Sequence, residues 1–362
     1  MRVGVLGGGQ LGRMLALAGY PMGLRFVFLD PAPDVSAGQV AELRTAAYDD
    51  TDALARLARD VDVVTYEFEN VPVAAARMLA ERVPVYPPPG ALEVAQDRLA
   101  EKRLFEGLGI ATAPFVRVDS ERELAAALDG LGVPAVLKTR RLGYDGKGQF
   151  VLRSPEDAGP AWKALGGSAL LLEPFVAFEH EVSLLAVREP AGATAFYPLV
   201  ENHHRDGILR LSRAPVPRLA ALQAEAEAKA ARILAALGYV GVLAVEFFVE
   251  AGRLVANEIA PRVHNSGHWT IDGAEVSQFE NHLRAGLGWP LGATTPVGWS
   301  AMVNLIGTAP DTSAVLAVPG AHLHLYGKAP RPGRKLGHVT LRADAPETLD
   351  ARLAVLGPLV AG

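Results

Sequence analysis

Two glutamates in apolar surroundings give the sequence its sharpest chemical signal. Glu246 interrupts Val242-Leu243-Ala244-Val245-Glu246-Phe247-Phe248, and Glu258 closes Leu254-Val255-Ala256-Asn257-Glu258-Ile259. A carboxylate in an apolar run is costly to bury unless it is paired or metal-bound. On neighbouring strands, Glu246, Glu258 and Asn257 would form an all-oxygen cluster, which selects Mg²⁺ or Mn²⁺ held by one or two carboxylates plus substrate phosphates. The competing reading is a carboxylate pair neutralised by Arg or Lys. The polar stretch Pro261-Arg262-Val263-His264-Asn265-Ser266-Gly267-His268 follows directly. Arg262 is suited to an oxyanion or a transferred phosphoryl group. His264 and His268 can bind a substrate or orient Arg262. Their i, i+4 spacing matches a zinc motif, but no helix and no intervening Glu accompany it.

Three loops carry groups suited to phosphate. Gly143-Tyr144-Asp145-Gly146-Lys147-Gly148-Gln149 lies between two strand-like runs, with Lys138 ending the first. Its glycine N–H groups can wrap a phosphate chain, and Lys138 adds a fixed cation. It joins strand to strand and lacks P-loop spacing, so a glycine-rich hairpin tip is the alternative. Lys328, Arg334 and Lys335 lie in the densest basic patch of the chain, a turn sized for one phosphate monoester or simply solvated. The third loop, Gly7-Gly8-Gly9-Gln10-Leu11-Gly12, fits G-x-G-x-x-G, with Asp30 ending the next strand. It reads as a dinucleotide site, as a site for another phosphate, or as a tight turn that binds nothing. In Leu170-Leu171-Leu172-Glu173-Pro174-Phe175-Val176 the polarity changes at Glu173, where a short extended connector could read the edge of a flat base. Glu181 follows, placed for ribose hydroxyls.

The elements that must position these groups alternate strand and helix through the first 86 residues, which implies a doubly wound parallel sheet with functional loops at strand C-termini. Pro87-Pro88-Pro89-Gly90 marks a boundary. One helix is expected over 93–108, then strands at 135–139, 149–153, 169–172, 181–188 and 195–200. The strongest helix signal covers 219–237, stopped by Gly238. Runs 240–250 and 253–259 flank Ala251-Gly252 as a hairpin, a helix follows over 276–288, and a small strand-rich unit starts near 300. The expected domains are an N-terminal doubly wound α/β domain over 1–95, an α+β domain over 96–295 whose small lobe covers about 112–178, and a strand-rich domain over 296–362.

Composition bounds the function class. The 362 residues contain no cysteine, which removes thiolate nucleophiles, iron–sulfur clusters and thiolate zinc sites. Lys and Arg total 35 against 40 Asp and Glu, a net charge of −5 that gives no general attraction to nucleic acid or an anionic membrane. No apolar run approaches the roughly 18 residues of a membrane span. The start has no signal-peptide pattern, so a cytoplasmic location is expected.

In their order along the chain, GGGQLG, GYDGKGQ, LLEPFV, VEFF, NEIAPRVHNSGHWT and YGKAPRPGRKLGH resemble the ATP-grasp superfamily. Within it they resemble the 5-(carboxyamino)imidazole ribonucleotide synthetase family of bacterial purine biosynthesis. The resemblance implies a Rossmann-like domain before a two-lobed ATP-grasp domain and a small C-terminal domain. It implies that ATP and bicarbonate give carboxyphosphate, whose carboxyl group passes to the amine of 5-aminoimidazole ribonucleotide (AIR), with Mg²⁺ as cofactor and a homodimer as the assembly. By the same resemblance Arg98, Lys138 and the 143–149 loop contact ATP phosphates. Glu173, Pro174, Phe175 and Val176 line the adenine site, with Glu181 on the ribose and His204 and Asn257 also at the nucleotide. Glu246 and Glu258 hold the metal, while Arg262 and His264 address bicarbonate or carboxyphosphate. Tyr144 and Asp145 face AIR, and Lys328, Arg334 and Lys335 hold its 5′-phosphate with Gly9, Gln10 and Leu11. Other ATP-grasp ligases, such as formate-dependent glycinamide ribonucleotide transformylase, and a nicotinamide-dependent dehydrogenase are the alternatives.

Overall fold

The computed structural model describes residues 1–143 and 147–360. Strands β1 (Arg2–Leu6), β2 (Arg25–Asp30), β3 (Glu42–Thr45) and β4 (Val63–Tyr66) form an all-parallel sheet in the order β3-β2-β1-β4. Helices α1 (Gln10–Gly19), α2 (Thr51–Asp60) and α3 (Val73–Ala80) cross over between or follow its strands. Asp50 caps α2 by accepting the Ala53 N–H at 2.9 Å, and α2 buries Ala53, Leu54, Leu57 and Ala58 against the sheet. The order reverses between β1 and β4, so a crevice opens beyond their C-terminal ends.

A single helix over 93–108 does not form. The chain makes α4 (Pro89–Ala95) and then α5 (Arg98–Gly107), broken at Gln96-Asp97. Asp97 is extended, caps Leu99 N–H at 2.9 Å, and receives Arg140 through two guanidinium nitrogens. That pair outweighs helical continuity and aims the first turn of α5 into the central cleft.

Strands β5 (Val116–Val118), β6 (Ala135–Thr139), β7 (Gln149–Leu152) and β8 (Leu170–Pro174) form a small antiparallel sheet ordered β5-β8-β6-β7. Helices α6 (Glu121–Leu131) and α7 (Ala158–Leu165) cover it with Leu124, Leu128 and Ala161. The remaining strands are β9 (His180–Arg188), β10 (Thr194–Phe196), β11 (Val200–Arg205), β12 (Ile208–Ala214), β13 (Gly241–Glu250), β14 (Arg253–Ala260), β15 (Trp299–Ile306), β16 (Ala321–Leu325) and β17 (Lys335–Ala343). They make one sheet ordered β14-β13-β9-β11-β12-β15-β17-β16, with β10 on β9. The strand expected over 195–200 is two pieces, β10 and β11, separated by a segment that contains Pro198. The β11–β12 hairpin turns at Asp206-Gly207, both with positive φ, as a two-residue hairpin loop requires. The expected 219–237 helix begins with a 3₁₀ segment, Pro217–Leu222, and is α-helical only over α8 (Gln223–Ala236).

Helices α9 (Thr270–Gly273) and α10 (Gln278–Gly286) follow the loop after β14. Ser277 caps α10 and shortens the helix expected over 276–288. The C-terminal strands extend the central sheet through the β12–β15 pairing, and a final helix, Pro346–Val360, covers them with Leu349 and Leu356. No helix among the described residues is long and apolar enough to cross a membrane.

Candidate active site

Strand β13 explains the buried glutamate. Leu243, Val245, Phe247 and Val249 face one core with Ile233 and Leu234 of α8, while Val242 and Ala244 on the other face join a second core. Continuing along that second face, Glu246 and Phe248 pass beyond the core into a cavity of about 770 Å³. Ala251 and Gly252, at φ 49° and 69°, return the chain to β14. The register then slips: Glu246 opposes Glu258 but Phe247 opposes Ala256. The bulge leaves Asn257 as the extra residue, and Asn257 and Glu258 both line the cavity.

The carboxylates are not equivalent. Burial first, and then Glu258, push Glu246 up to about 8. Glu258 is held below its usual range, because Arg98 Nη1 donates to its Oε2 at 2.9 Å and outweighs the burial that would raise it. His264 Nδ1 accepts the Ser266 N–H at 3.3 Å, so Nε2 carries the proton toward Glu246 Oε1, 3.3 Å away. Burial and Arg262 hold His264 neutral, with its pKa near 3. Among the described residues no three His, Asp or Glu side chains form a self-sufficient metal cage. Two facing carboxylates and an amide are the donor set Mg²⁺ takes when phosphate oxygens complete it. The residues fit that ion.

Cations line the cavity. Arg98, Lys138, Lys147, Arg262, Lys328 and Lys335 all border it, with Gln149, His264, Gly9, Gln10, Leu11, Gly143, Glu181 and His204 also at the wall. His204 Nδ1 meets Glu181 Oε2 at 2.5 Å across β11 and β9. Glu173 lies beneath the wall, 3 % exposed, its Oε2 shared by Lys138 at 3.0 Å and Lys102 at 3.5 Å. Its Oε1 has no hydrogen-bond partner among the described residues. Gly148, Pro174, Phe175, Val176 and Arg334 are outside the cavity lining, and Arg334 donates to Ala329 O at 3.2 Å within its own turn. Tyr144, Asp145 and Gly146 lie outside the described residues.

Sequence reasoning assigns no role to four charged groups. Glu101 and Lys102 of α5 lie beside Arg98 and Lys138, and Lys102, 1 % exposed, donates to Thr112 Oγ1 at 2.8 Å. Glu67 and Glu69 follow β4 and line the cavity. Glu67 Oε1 accepts Gly9 N–H at 2.8 Å, and its Oε2 accepts Leu11 and Gly12 N–H at 3.1 Å each. Asp30 Oδ2 takes Gly8 N–H at 2.8 Å. The dinucleotide reading fails here, because the amides and the acid it requires bind each other. Acids directly after a parallel strand at the switch point are the available signal.

Residues 1–96 match the ribonucleotide synthetase preATP-grasp domain, 103–279 the ATP-grasp domain, and 300–352 the phosphoribosylaminoimidazole carboxylase C-terminal domain. The chain is 56 % identical over 360 residues to the N5-carboxyaminoimidazole ribonucleotide synthase of Pseudomonas aeruginosa, covering 99 % of each. The crystal structure of N5-carboxyaminoimidazole ribonucleotide synthetase from Thermus thermophilus is 61 % identical with a TM-score of 0.96, covering 99 % of both chains. An Aspergillus clavatus N5-carboxyaminoimidazole synthase solved with ADP and 5-aminoimidazole ribonucleotide is 34 % identical with a TM-score of 0.93, covering 99 % of this chain and 98 % of that one. With the cation-lined cleft built on matching domains throughout, the chain belongs to the N5-carboxyaminoimidazole ribonucleotide synthase family, ATP-dependent ligases of the ATP-grasp superfamily that act in purine biosynthesis.

Proposed function

We propose that the enzyme binds ATP, bicarbonate and AIR in this single cleft and makes N5-carboxyaminoimidazole ribonucleotide through carboxyphosphate. The observation that carries the reading is Glu246 facing Glu258 in a cavity also lined by Arg98, which bonds Glu258, by Lys138, which bonds Glu173, and by Lys328, which bonds Gln10. Glu246 and Glu258, with Asn257 beside them, would hold Mg²⁺. When bound there, the ion would supply charge neutralisation for the phosphoryl group as it is transferred.

Arg98, Lys138 and the 143–149 loop bind the phosphates, with Glu173 fixing the Lys138 ammonium. Glu181 and His204 at the cavity wall take the ribose, and the base extends past the cavity lining toward the 173–176 connector. Arg262, with His264 neutral beside it, orients bicarbonate so that its oxygen attacks the γ-phosphorus as the bond to the ADP oxygen breaks. Carboxyphosphate hydrolyses readily, and closure of the 143–149 loop excludes water. The AIR amine then attacks the carbonyl carbon and phosphate leaves, with Asp145 accepting the amine proton. Lys328 and Lys335 meet the substrate phosphate, with Arg334 adding positive charge from the same turn outside the cavity lining, and Tyr144 and the Gly9-Gln10-Leu11 turn border AIR.

The assay is ADP release with bicarbonate present, with and without AIR. AIR-dependent stimulation is expected, and its absence refutes the assignment. The homodimer implied by the family resemblance is tested by light scattering.

A further inference from the structure

The opening glycine loop has the form of an anion site, with successive N–H groups at the start of a ten-residue helix. Here four of those N–H groups are taken by side chains of the same chain: Gly8 by Asp30, and Gly9, Leu11 and Gly12 by Glu67. The glycines themselves fit the carboxylate. A Cβ on Gly9 would stand 2.5 Å from Glu67 Oε1, and one on Gly7 2.7 Å from Glu67 Cγ. Glu67 is 8 % exposed, so its carboxylate stays in the nest. On the same turn, the Gln10 Oε1 accepts from Lys328 Nζ.

We infer that Glu67 is a specificity-determining residue: its carboxylate is the resident anion of this nest and closes the glycine loop to phosphate groups. The α1 turn then serves as a platform that sets Gln10, and through it Lys328, at the cavity wall. A ligand phosphate arriving here meets a filled anion hole and is left to the Lys328 and Lys335 ammonium groups. That last consequence rests on the proposed phosphate role of these lysines. Closure of the loop does not.

The test uses inorganic phosphate and the full chain labelled with ¹⁵N-glycine, read at the Gly9 and Gly12 amides. No nucleotide or AIR is needed, so failure of the carboxylation reading leaves this measurement standing. Wild-type protein should show no saturable shift at either amide beyond what Lys328→Met abolishes, since phosphate on the Lys328 ammonium would lie next to Gln10. Glu67→Ala should show one, with phosphate bound about tenfold or more tighter than by wild type at this loop, as expected when charge-assisted donors are freed. A saturable shift in wild type that persists in Lys328→Met overturns the inference, as does a folded Glu67→Ala that gains no phosphate response. Should Glu67→Ala not fold, the wild-type and Lys328→Met titrations decide alone.

Discussion

Arg262 is clamped by Glu69 across 193 residues of sequence, joining the loop after β14 to the loop after β4. Burial alone would raise the Glu69 carboxyl, but Arg262 outweighs it and holds the group at about 2. Arg262 also donates to Val263 O at 3.0 Å, so its guanidinium is fixed from two sides. The N-terminal sheet thereby positions a residue of the central one.

Glu69→Gln should therefore act through Arg262. With Arg262 in its proposed role, loss of this fixed donor should lower turnover by about 100-fold, while KM for ATP should change little because Arg98 and Lys138, the proposed phosphate ligands, lie on other elements. In a double-mutant cycle with Arg262→Ala, the second substitution should add nothing to the loss of kcat. Additive losses would show that Glu69 acts independently.

Glu246 and Glu258 repel each other in the register that brings them together, and Glu246 rises to about 8 in consequence of burial and that neighbour. Glu258→Gln removes the repulsion along with a proposed metal ligand. Turnover should fall roughly 100-fold or more, with the melting temperature in metal-free buffer close to wild type. Mg²⁺ with ADP should raise the wild-type melting temperature by mass action and leave the variant unmoved. Unchanged turnover would mean that the cation sits elsewhere.

Lys328 gives the substrate side a pH signature. Burial lowers its pKa, Glu67 opposes, and Arg334 and Lys335 reinforce, leaving the group at about 8. It is an ammonium below that pH and neutral above it. KM for AIR should thus climb about tenfold per pH unit above 8, and Lys328→Met should have a raised but flat profile. A wild-type profile flat to pH 10 would remove Lys328 from phosphate binding.

Much of the cleft is legible in the sequence because its chemistry conflicts with its setting. Glu246 in an apolar strand and glycines flanking Lys147 each break a local pattern, which marks function before any fold is known. The hairpin at Ala251-Gly252 is equally local. What stays hidden depends on contacts over long separations. Glu67 and Glu69 look like ordinary polar residues after a strand until Gly9 and Arg262 are brought to them. The bulge that turns Asn257 inward follows from pairing with β13. Asp97 breaks a helix because Arg140, 43 residues later, reaches it. The β11–β12 hairpin is the exception, since Asp206-Gly207 is a usable local signal for its turn.

Acid stability gives a check on the packing between domains. His282 of α10 accepts Val242 N–H at Nδ1, 3.1 Å away, so its Nε2–H donates to Thr65 Oγ1 of β4 at 2.8 Å. That tautomer is neutral, and burial lowers the pKa from 6.5 to about 4. The unfolded chain consequently binds the extra proton at higher pH than the folded one. Stability from this group is complete above pH 6.5 and is lost as pH falls toward 4. Between pH 7 and pH 5 the loss is about 2 kcal/mol for His282 alone. Buried His264, His268 and His338 shift in the same direction, and their contributions cancel when two variants are compared at the same pH. Urea unfolding at pH 7 and pH 5 should then show His282→Gln less stable than wild type at pH 7 but losing about 2 kcal/mol less on acidification. Equal losses in both proteins would mean that His282 is protonated in the folded state, and the Thr65–His282–Val242 bridge between the sheets would have to be redrawn.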